Sequence, residues 1–216
     1  MVGLRHAGNP RIPDTTVRRL PMYLRVLSEL SGRQQEVTSA ELAERTGYSS
    51  EQIRKDFAYF GALGTRGVGY RVDLLQRQIR SILGLDRPIP AAVIGAGNLG
   101  TALARYSILQ DRDIQVVALF DVDPRRVGTD IEGVKVYPTE ELPAVVRQLG
   151  IRMAIVAVPP EAAQAVVDAA VRAGVTAFLN FSPVKLQAPR HVHIQNIDLS
   201  LELQSLAYYV SARSLP

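Results

Sequence analysis

Two hydrophobic patterns follow each other along the chain. Up to about residue 84, apolar positions recur at the three- and four-residue spacing of amphipathic helices, with breaks at Gly32, Gly47 and Gly61. From residue 91 onward, short apolar runs alternate with helical segments, which is typical of a parallel sheet with helices on both faces. We therefore predict an α/β protein with a helical N-terminal domain followed by a doubly wound parallel sheet. The expected strands are 91–94, 116–120, 134–136, 154–158, 177–179 and 193–197.

The N-terminal pattern predicts a winged helix. Thr38 and Ser49 each precede a helical run and have the spacing of N-cap residues. A helix, a short turn at Gly47 and a second helix make up the helix-turn-helix plan. Glycines and a strand-like alternation at 68–72 then predict a β-hairpin wing, after which Asp73 is expected to cap the next helix.

Charge distinguishes the two regions. Residues 1–90 carry 14 Lys+Arg against 9 Asp+Glu, whereas residues 91–216 carry 11 against 12. A basic N-terminal region indicates an anionic partner, for which nucleic acid is the obvious candidate, although an ordinary solvated surface has the same composition.

Composition excludes several classes of function. The chain has no cysteine, so disulfides, zinc–cysteine sites and thiol catalysis are excluded. No apolar run is long enough to span a membrane, and the N-terminus lacks the apolar core of a secretion signal. We expect a cytoplasmic protein without a membrane partner.

The helix after Ser49 has the composition of a recognition helix. Arginine and lysine there neutralise phosphates or hydrogen-bond guanine, and an arginine at the wing tip suits a narrow minor groove. Helix-turn-helix shapes also occur in proteins that do not bind DNA, but the basic balance and the glycine-flanked wing arginine favour DNA. The predicted DNA-binding residues are Ser50, Gln52, Arg54, Lys55, Tyr59, Arg66 and Gly67.

The second region opens with a GxGxxG motif at residues 95–100, between a predicted strand and a predicted helix. Gly95 supplies a tight turn, Gly97 lets the backbone approach a pyrophosphate, and Gly100 lets helix and strand pack closely. Asp121 ends the next strand 21 residues after Gly100, where an acid binds the ribose hydroxyls and repels a 2′-phosphate. A glycine turn in an unrelated sheet is the alternative, and the context favours a Rossmann domain that binds NAD(H).

Loops at the carboxyl ends of later strands extend the predicted cofactor site, because open α/β sheets bind ligands at that edge. For these loop residues a plain turn or helix cap is the alternative role. Arg125 and Arg126 either reach a 2′-phosphate or are surface charges. The predicted cofactor-binding residues are Gly95, Ala96, Gly97, Asn98, Leu99, Gly100, Asp121, Val158, Pro159, Asn180 and Ser182.

Candidate catalytic groups are scarce. The imidazoles are His6 in the expected tail and His191 and His193 near a late strand, and no cluster has metal-ligand spacing. No substrate domain of ordinary size fits after the Rossmann core. We expect a metal-free, non-enzymatic protein that uses the dinucleotide as a signal. The alternatives are an NAD-dependent oxidoreductase with an N-terminal accessory domain, and a structural protein with a vestigial Rossmann fold.

Four motifs together resemble the Rex family of redox-sensing repressors: RKDFAYFG at 54–61, GTRGVGY at 64–70, GAGNLG at 95–100 and FDVDP at 120–124. The resemblance covers nearly the whole chain after the tail. It implies a homodimer that binds palindromic double-stranded operator DNA and is released by NADH, while NAD+ competes. It also implies a C-terminal helix that is swapped between protomers, in keeping with the apolar residues of 199–211.

The resemblance further implies a switch formed by Arg25, Tyr106 and Asp198. The alternative role of Asp198 is to cap the C-terminal helix. In many members a phenylalanine follows this aspartate beside the nicotinamide, and Leu199 stands there in this chain.

These inferences predict a domain order along the chain. We expect a flexible tail (1–12), a winged-helix DNA-binding domain (13–84), a proline-stiffened linker (85–90), a Rossmann NAD(H)-binding domain (91–198) and a C-terminal dimerisation helix (199–216).

Overall fold

The computed structural model describes residues 12–62, 64–65, 67–110 and 113–212. The chain divides into two compact units, Met1–Arg87 and Pro88–Pro216. Within the described ranges, no helix is long and apolar enough to cross a lipid bilayer.

The first unit is helical apart from a small antiparallel sheet. Its core packs α2 against the later helices, and Leu27, Phe57 and Ile79 have no exposed surface. In chain order its described elements are α1 (Asp14–Val17), α2 (Leu20–Leu30), β1 (Glu36–Val37), α3 (Ser39–Thr46), α4 (Ser50–Ala58), β2 (Tyr70–Arg71) and α5 (Val72–Ile82).

Local capping explains the helix-turn-helix. Thr38 accepts a hydrogen bond from the backbone N–H of Glu41 at 3.1 Å, and the Glu41 carboxylate accepts one from the Thr38 N–H at 2.8 Å, which completes a capping box. Gly47 ends α3 in the left-handed conformation at φ +76°, and the Ser49 hydroxyl caps α4 by accepting from the Gln52 N–H. The predicted helix-turn-helix is confirmed.

The wing strand is shorter at both ends than predicted, because Val68 lies in a turn and Val72 in a helix. Tyr70 and Arg71 form a two-residue strand that pairs with Val37 and Glu36, and Thr65 bridges Gly69 across a tight turn. Val72 belongs to α5, whose N-cap is Arg71, so the expected cap at Asp73 is wrong. The reason is the pairing with a distant strand. The strand pairing with β1 ends at Arg71, so α5 begins two residues before the position expected from a cap at Asp73.

In the described part of the second unit, seven strands form one sheet with helices on both faces. Its elements are β3 (Ile89–Ile94), α6 (Asn98–Gln110), β4 (Ile114–Asp121), β5 (Asp130–Ile131), β6 (Val134–Pro138), a 3₁₀ turn (Thr139–Glu141), α7 (Leu142–Gln148), β7 (Met153–Val156), α8 (Pro160–Ala173), β8 (Ala177–Asn180), β9 (His193–Asn196) and α9 (Leu199–Ala212).

The strand order across this sheet is β5-β6-β4-β3-β7-β8-β9, and only β5 runs antiparallel to its neighbour. Counted along the chain, the parallel strands follow the order 3-2-1-4-5-6 of the Rossmann fold. Side chains alternate between two cores: Ala92 and Ile94 face α7 and α8, whereas Val93 faces α6. The predicted doubly wound sheet is confirmed, and β5 is an addition that the apolar pattern did not reveal.

The terminal helix α9 buries little of its surface. Its large apolar side chains are all more than half exposed: Leu199, Leu201, Leu203, Leu206, Tyr208, Tyr209 and Val210.

Candidate dinucleotide and nucleic-acid sites

The three glycines of the loop after β3 have three different surroundings. Gly95 has φ +100°, and a Cβ there would lie 2.5 Å from the carbonyl oxygen of Ala157. A Cβ at Gly100 would overlap the carbonyl oxygen of Gly95. A Cβ at Gly97 would meet no atom within 4 Å. Folding therefore requires the first and third glycines, whereas the absence of a side chain at Gly97 only keeps the space above the loop open.

This open space adjoins a helix N-terminus. α6 begins at Asn98, and its first turn is closed by the Thr101 N–H donating to the Gly97 carbonyl at 2.8 Å. The unpaired N–H groups and the dipole of a helix start favour an anion, and a pyrophosphate is the anion that this loop geometry suits.

Asp121 lies at the carboxyl end of β4, beside the glycine loop, and is only 7% exposed. Its Oδ2 accepts a hydrogen bond from the Ala96 N–H at 2.7 Å and lies 3.3 Å from Nη1 of Arg126. Its Oδ1 accepts from the Asp123 N–H at 2.8 Å. Each carboxylate oxygen can accept more than one hydrogen bond, so the group holds the loop in place and still has capacity for ribose hydroxyls.

A cleft of about 550 Å³ runs along this edge of the sheet. The predicted cofactor residues that line it are Gly95, Gly97, Asn98, Leu99, Asp121, Val158 and Pro159. Ala96 lines a second cleft on the α6 side, which shares Gly97, Asn98 and Arg126 with the first. Gly100 lies beneath the loop, where the absence of a side chain lets α6 pack closely against β3.

Asn180 and Ser182 occupy a different position. Asn180 is fully buried, and its Nδ2 donates to the carbonyl oxygens of Ser182 and Val184 and to Oδ1 of Asn196. Its Oδ1 accepts from the Ser182 N–H. These bonds fix the loop after β8 to the end of β9. Neither residue is among the described residues that line the cleft, so their contact with a cofactor stays a prediction.

The cleft also contains residues that sequence reasoning missed. Val122, Thr139 and Ala157 line it, and each directly follows a strand at the carboxyl edge. The rule that selected Val158 would have found them had it been applied to every strand end.

The two neighbouring arginines after β4 have separate roles. Arg125 binds the Asp123 carboxylate with two hydrogen bonds of 3.0 and 2.8 Å, which together with its backbone N–H lower the pKa of Asp123 to about 2. Arg126 instead points to Asp121 and lines both clefts. It brings positive charge to the rim of the predicted cofactor site.

In the first unit, α4 presents its basic residues to solvent. Arg54 donates to the Ser39 hydroxyl at 3.1 Å, so its guanidinium lies beside the start of α3. Lys55 is 3.2 Å from Glu51 one turn earlier, and such an exposed pair is weak enough to yield to a phosphate. Tyr59 is 38% exposed at the C-cap, while Ser50 and Gln52 are half-buried in the first turn.

The wing supplies the remaining predicted DNA contacts. Gly67 has φ +83° in the turn that Thr65 and Gly69 close with two backbone hydrogen bonds of 2.8 and 2.9 Å. Arg66 lies outside the described residues, so its contact with DNA stays a prediction.

The residues predicted to form the switch are Arg25, Tyr106 and Asp198. Arg25 is exposed on α2 and lies 3.7 Å from Glu29, and Tyr106 on α6 is 69% exposed. Asp198 accepts a hydrogen bond from the Ser200 N–H at 2.9 Å, which is the geometry of an N-cap for α9. The capping role is therefore present, and the switch role stays a prediction.

The two sites define a class of protein: a DNA-binding regulator in which a helix-turn-helix unit and a dinucleotide-binding Rossmann unit share one chain. In the described ranges, no group of three or more His, Asp or Glu residues could hold a metal ion.

Comparison with known proteins identifies the family. The family model "CoA binding domain" matches residues 86–184, and "Putative DNA-binding protein N-terminus" matches 11–58. The redox-sensing transcriptional repressor Rex of Natranaerobius thermophilus is 48% identical over 91% of this chain and 90% of its own length. The Rex protein of Streptomyces coelicolor is 46% identical over 92% of this chain and 77% of its own length. The chain belongs to the Rex family of redox-sensing transcriptional repressors.

Solved structures of RSP, a Rex-family repressor, agree with this assignment. RSP in complex with β-NAD+ and operator DNA has a TM-score of 0.87 at 35% identity, and the match covers 95% of both chains. RSP in complex with β-NADH has a TM-score of 0.82 at 34% identity, covering 95% of this chain and 97% of that one.

Proposed function

We propose that this protein is a transcriptional repressor that senses the NADH/NAD+ ratio, binding operator DNA through its first unit and leaving it when NADH occupies the cleft of its second unit. The observation that carries the proposal is the glycine loop, where Gly97 leaves room for a pyrophosphate at the start of α6 beside Asp121. The RSP complexes with β-NAD+, β-NADH and operator DNA support both ligands.

In the cofactor site, the pyrophosphate lies over Gly97 and the adenosine ribose binds Asp121. The apolar cleft wall at Val158 and Pro159 contacts the adenine. The Asp121 carboxylate disfavours a 2′-phosphate, so NAD(H) binds in preference to NADP(H), and the proximity of Arg126 reduces that preference without reversing it.

In the DNA site, α4 enters the major groove with Ser50 and Gln52 at its N-terminal end, as recognition helices do. Arg54 and Lys55 bind the backbone phosphates, and Tyr59 flanks them. The wing residues Arg66 and Gly67 lie against the adjacent minor groove.

A homodimer completes this function, since a palindromic operator requires two recognition helices about 34 Å apart. The apolar helix α9 supplies the surface: Leu203, Leu206 and Tyr209 are 59–68% exposed in the single chain, and a contiguous patch of this kind marks an interface. We expect this helix to be swapped between protomers. Light scattering with size-exclusion chromatography should give twice the chain mass, and Leu203→Glu with Leu206→Glu should give the monomer.

The switch is proposed to consist of Arg25, Tyr106 and Asp198, with the Asp198 charge acting in only one of two states. Asp198→Asn separates this role from capping, because asparagine caps a helix as well as aspartate but carries no charge. The variant should bind NADH and operator normally, and NADH should displace the operator less well. An unchanged displacement would leave Asp198 with the cap alone.

The proposal includes a cytoplasmic location, since a repressor acts where the DNA is. It also includes the segment bounds 1–12, 13–84, 85–90, 91–198 and 199–216. A gel-shift assay on a palindromic AT-rich duplex tests the whole. The duplex should be retarded without ligand, released by NADH and retained with NAD+. NADH oxidation by the protein with any tested substrate, or no retardation, would favour the oxidoreductase or structural alternatives.

A further inference from the structure

The recognition helix contains a buried charged residue. Asp56 on α4 has no exposed surface, and its two carboxylate oxygens accept hydrogen bonds from residues of three helices. Arg19 donates two of them, at 2.6 and 2.7 Å. The others come from the hydroxyls of Thr16 at 3.0 Å and Tyr23 at 2.7 Å, and from the side-chain amide of Gln52 at 3.1 Å.

These donors keep Asp56 ionised. Burial by itself would raise the pKa of the carboxyl, but the hydrogen bonds from Arg19, Tyr23, Thr16 and Gln52 more than offset it, and the pKa lies below its usual range. An ionised carboxylate only accepts hydrogen bonds. Whatever group faces it must therefore donate.

This requirement fixes the orientation of the Gln52 amide. An amide can ordinarily turn over and exchange its donor end for its acceptor end. Next to Asp56, only the Nε2 end can face inward, so the Oε1 end is the acceptor available to a ligand. Among the described residues, Oε1 has no protein donor.

Gln52 lies in the first turn of α4, the part of a recognition helix that meets base edges. Adenine offers the major groove an amino donor at N6 and an acceptor at N7, whereas guanine offers acceptors at both O6 and N7. An amide with its oxygen outward and one N–H still free matches adenine and opposes guanine.

We propose that Asp56 is a positioning residue that locks Gln52 in this orientation, and that Gln52 thereby reads the N6 amino group of an adenine in each operator half-site. This inference rests on the proposed DNA-binding function and adds a base-specific role to it. The two residues act together. Gln52 contacts the base, and Asp56 prevents the flipped orientation in which the amide nitrogen would donate to guanine.

The test begins with a duplex selected by the full-length protein from a library with randomised palindromic half-sites. Each adenine of the selected half-site is then replaced in turn by purine, which lacks the N6 amino group and keeps N7. At one position the wild type should lose about three- to tenfold in affinity, the value of a single hydrogen bond. Gln52→Ala should bind the adenine and purine duplexes equally.

Asp56→Asn tests the positioning role. The introduced asparagine amide can donate as well as accept, so the Gln52 amide can adopt either orientation. It should lose the adenine-over-guanine preference at that same position while keeping preferences elsewhere. Ile79→Val is the matched control, since it removes a buried methyl group from α5 without touching this network, and it should keep the wild-type preference.

The outcomes separate the two levels of the account. If no duplex is selected at all, the proposed function fails and this inference fails with it. If a duplex is selected but has no position at which purine weakens binding by the wild type and not by Gln52→Ala, only the base-reading role is overturned. If Asp56→Asn weakens every duplex by one common factor, Asp56 is structural and the positioning role is overturned.

Discussion

A methyl group added at Gly97 should impair NADH binding, whereas a methyl group added at Gly100 should destabilise the fold. At Gly97 the new Cβ meets nothing within 4 Å, so Gly97→Ala should leave the melting temperature unchanged or slightly raised. The methyl group would stand where the pyrophosphate approaches the N-terminus of α6. Losing one charge-assisted hydrogen bond costs about 1.5–3 kcal/mol, so the Kd for NADH should rise roughly 10- to 150-fold.

At Gly100 the Cβ would overlap the carbonyl oxygen of Gly95 and lie 3.3 Å from a methyl group of Val93. Helix α6 must then move away from β3, at a cost of about 1–3 kcal/mol or more. In a chain of this size each kcal/mol lowers the melting temperature by roughly 2–4 °C. Gly100→Ala should therefore melt several degrees below the wild type.

Calorimetric titration with NADH and a thermal melt of each variant are the assays. Wild-type NADH affinity in Gly97→Ala would refute the assignment of the pyrophosphate to this loop. A Gly100→Ala protein as stable as the wild type would refute the packing argument.

Three further predictions concern single side chains. Asp121→Ala should relax the discrimination against NADPH by roughly tenfold, because a carboxylate no longer opposes the 2′-phosphate while Arg126 remains, and competition titrations with NADH and NADPH measure this. Arg54→Ala should lower the slope of log K against log salt by about 0.9 if Arg54 neutralises one phosphate, and an unchanged slope in anisotropy titrations would exclude that contact. Asp56→Asn should destabilise the first unit by about 3 kcal/mol at pH 7, because it removes the partner of a largely buried arginine. Since the folded pKa of Asp56 lies below its unfolded value, this stability is fully present above about pH 4 and is lost as the pH falls through the folded pKa, so wild type and variant should converge in acid melts.

Local signals in the sequence predicted much of the fold. The capping pairs at Thr38 and Ser49 depend on residues three positions apart, and the structure has the helices where these pairs predict them. The alternation of short apolar runs with helices after residue 91 is also a local signal, and it predicted the parallel sheet. The wing was less predictable, since β2 ends where its pairing with Glu36 ends, 35 residues earlier in the chain.

The sites show the same division between local and long-range information. The glycine loop and Asp121 could be inferred because their spacing is characteristic of one fold. Asp56 could not be, because a charged residue on a recognition helix is ordinarily exposed, and its burial arises from Thr16, Arg19 and Tyr23 on preceding helices. The Asn180 network likewise depends on Asn196, which only the pairing of β8 with β9 brings near.

In the proposed function, NADH and operator DNA oppose each other's binding to one protein. Linkage requires that if NADH weakens operator binding by some factor, the operator weakens NADH binding by the same factor. The most direct test is therefore the Kd of NADH, measured by calorimetry on the free protein and again with saturating operator duplex. We expect the operator to raise this Kd by roughly 5- to 150-fold, the usual range of such couplings. Equal affinity in the two titrations, or tighter binding in the presence of operator, would contradict it.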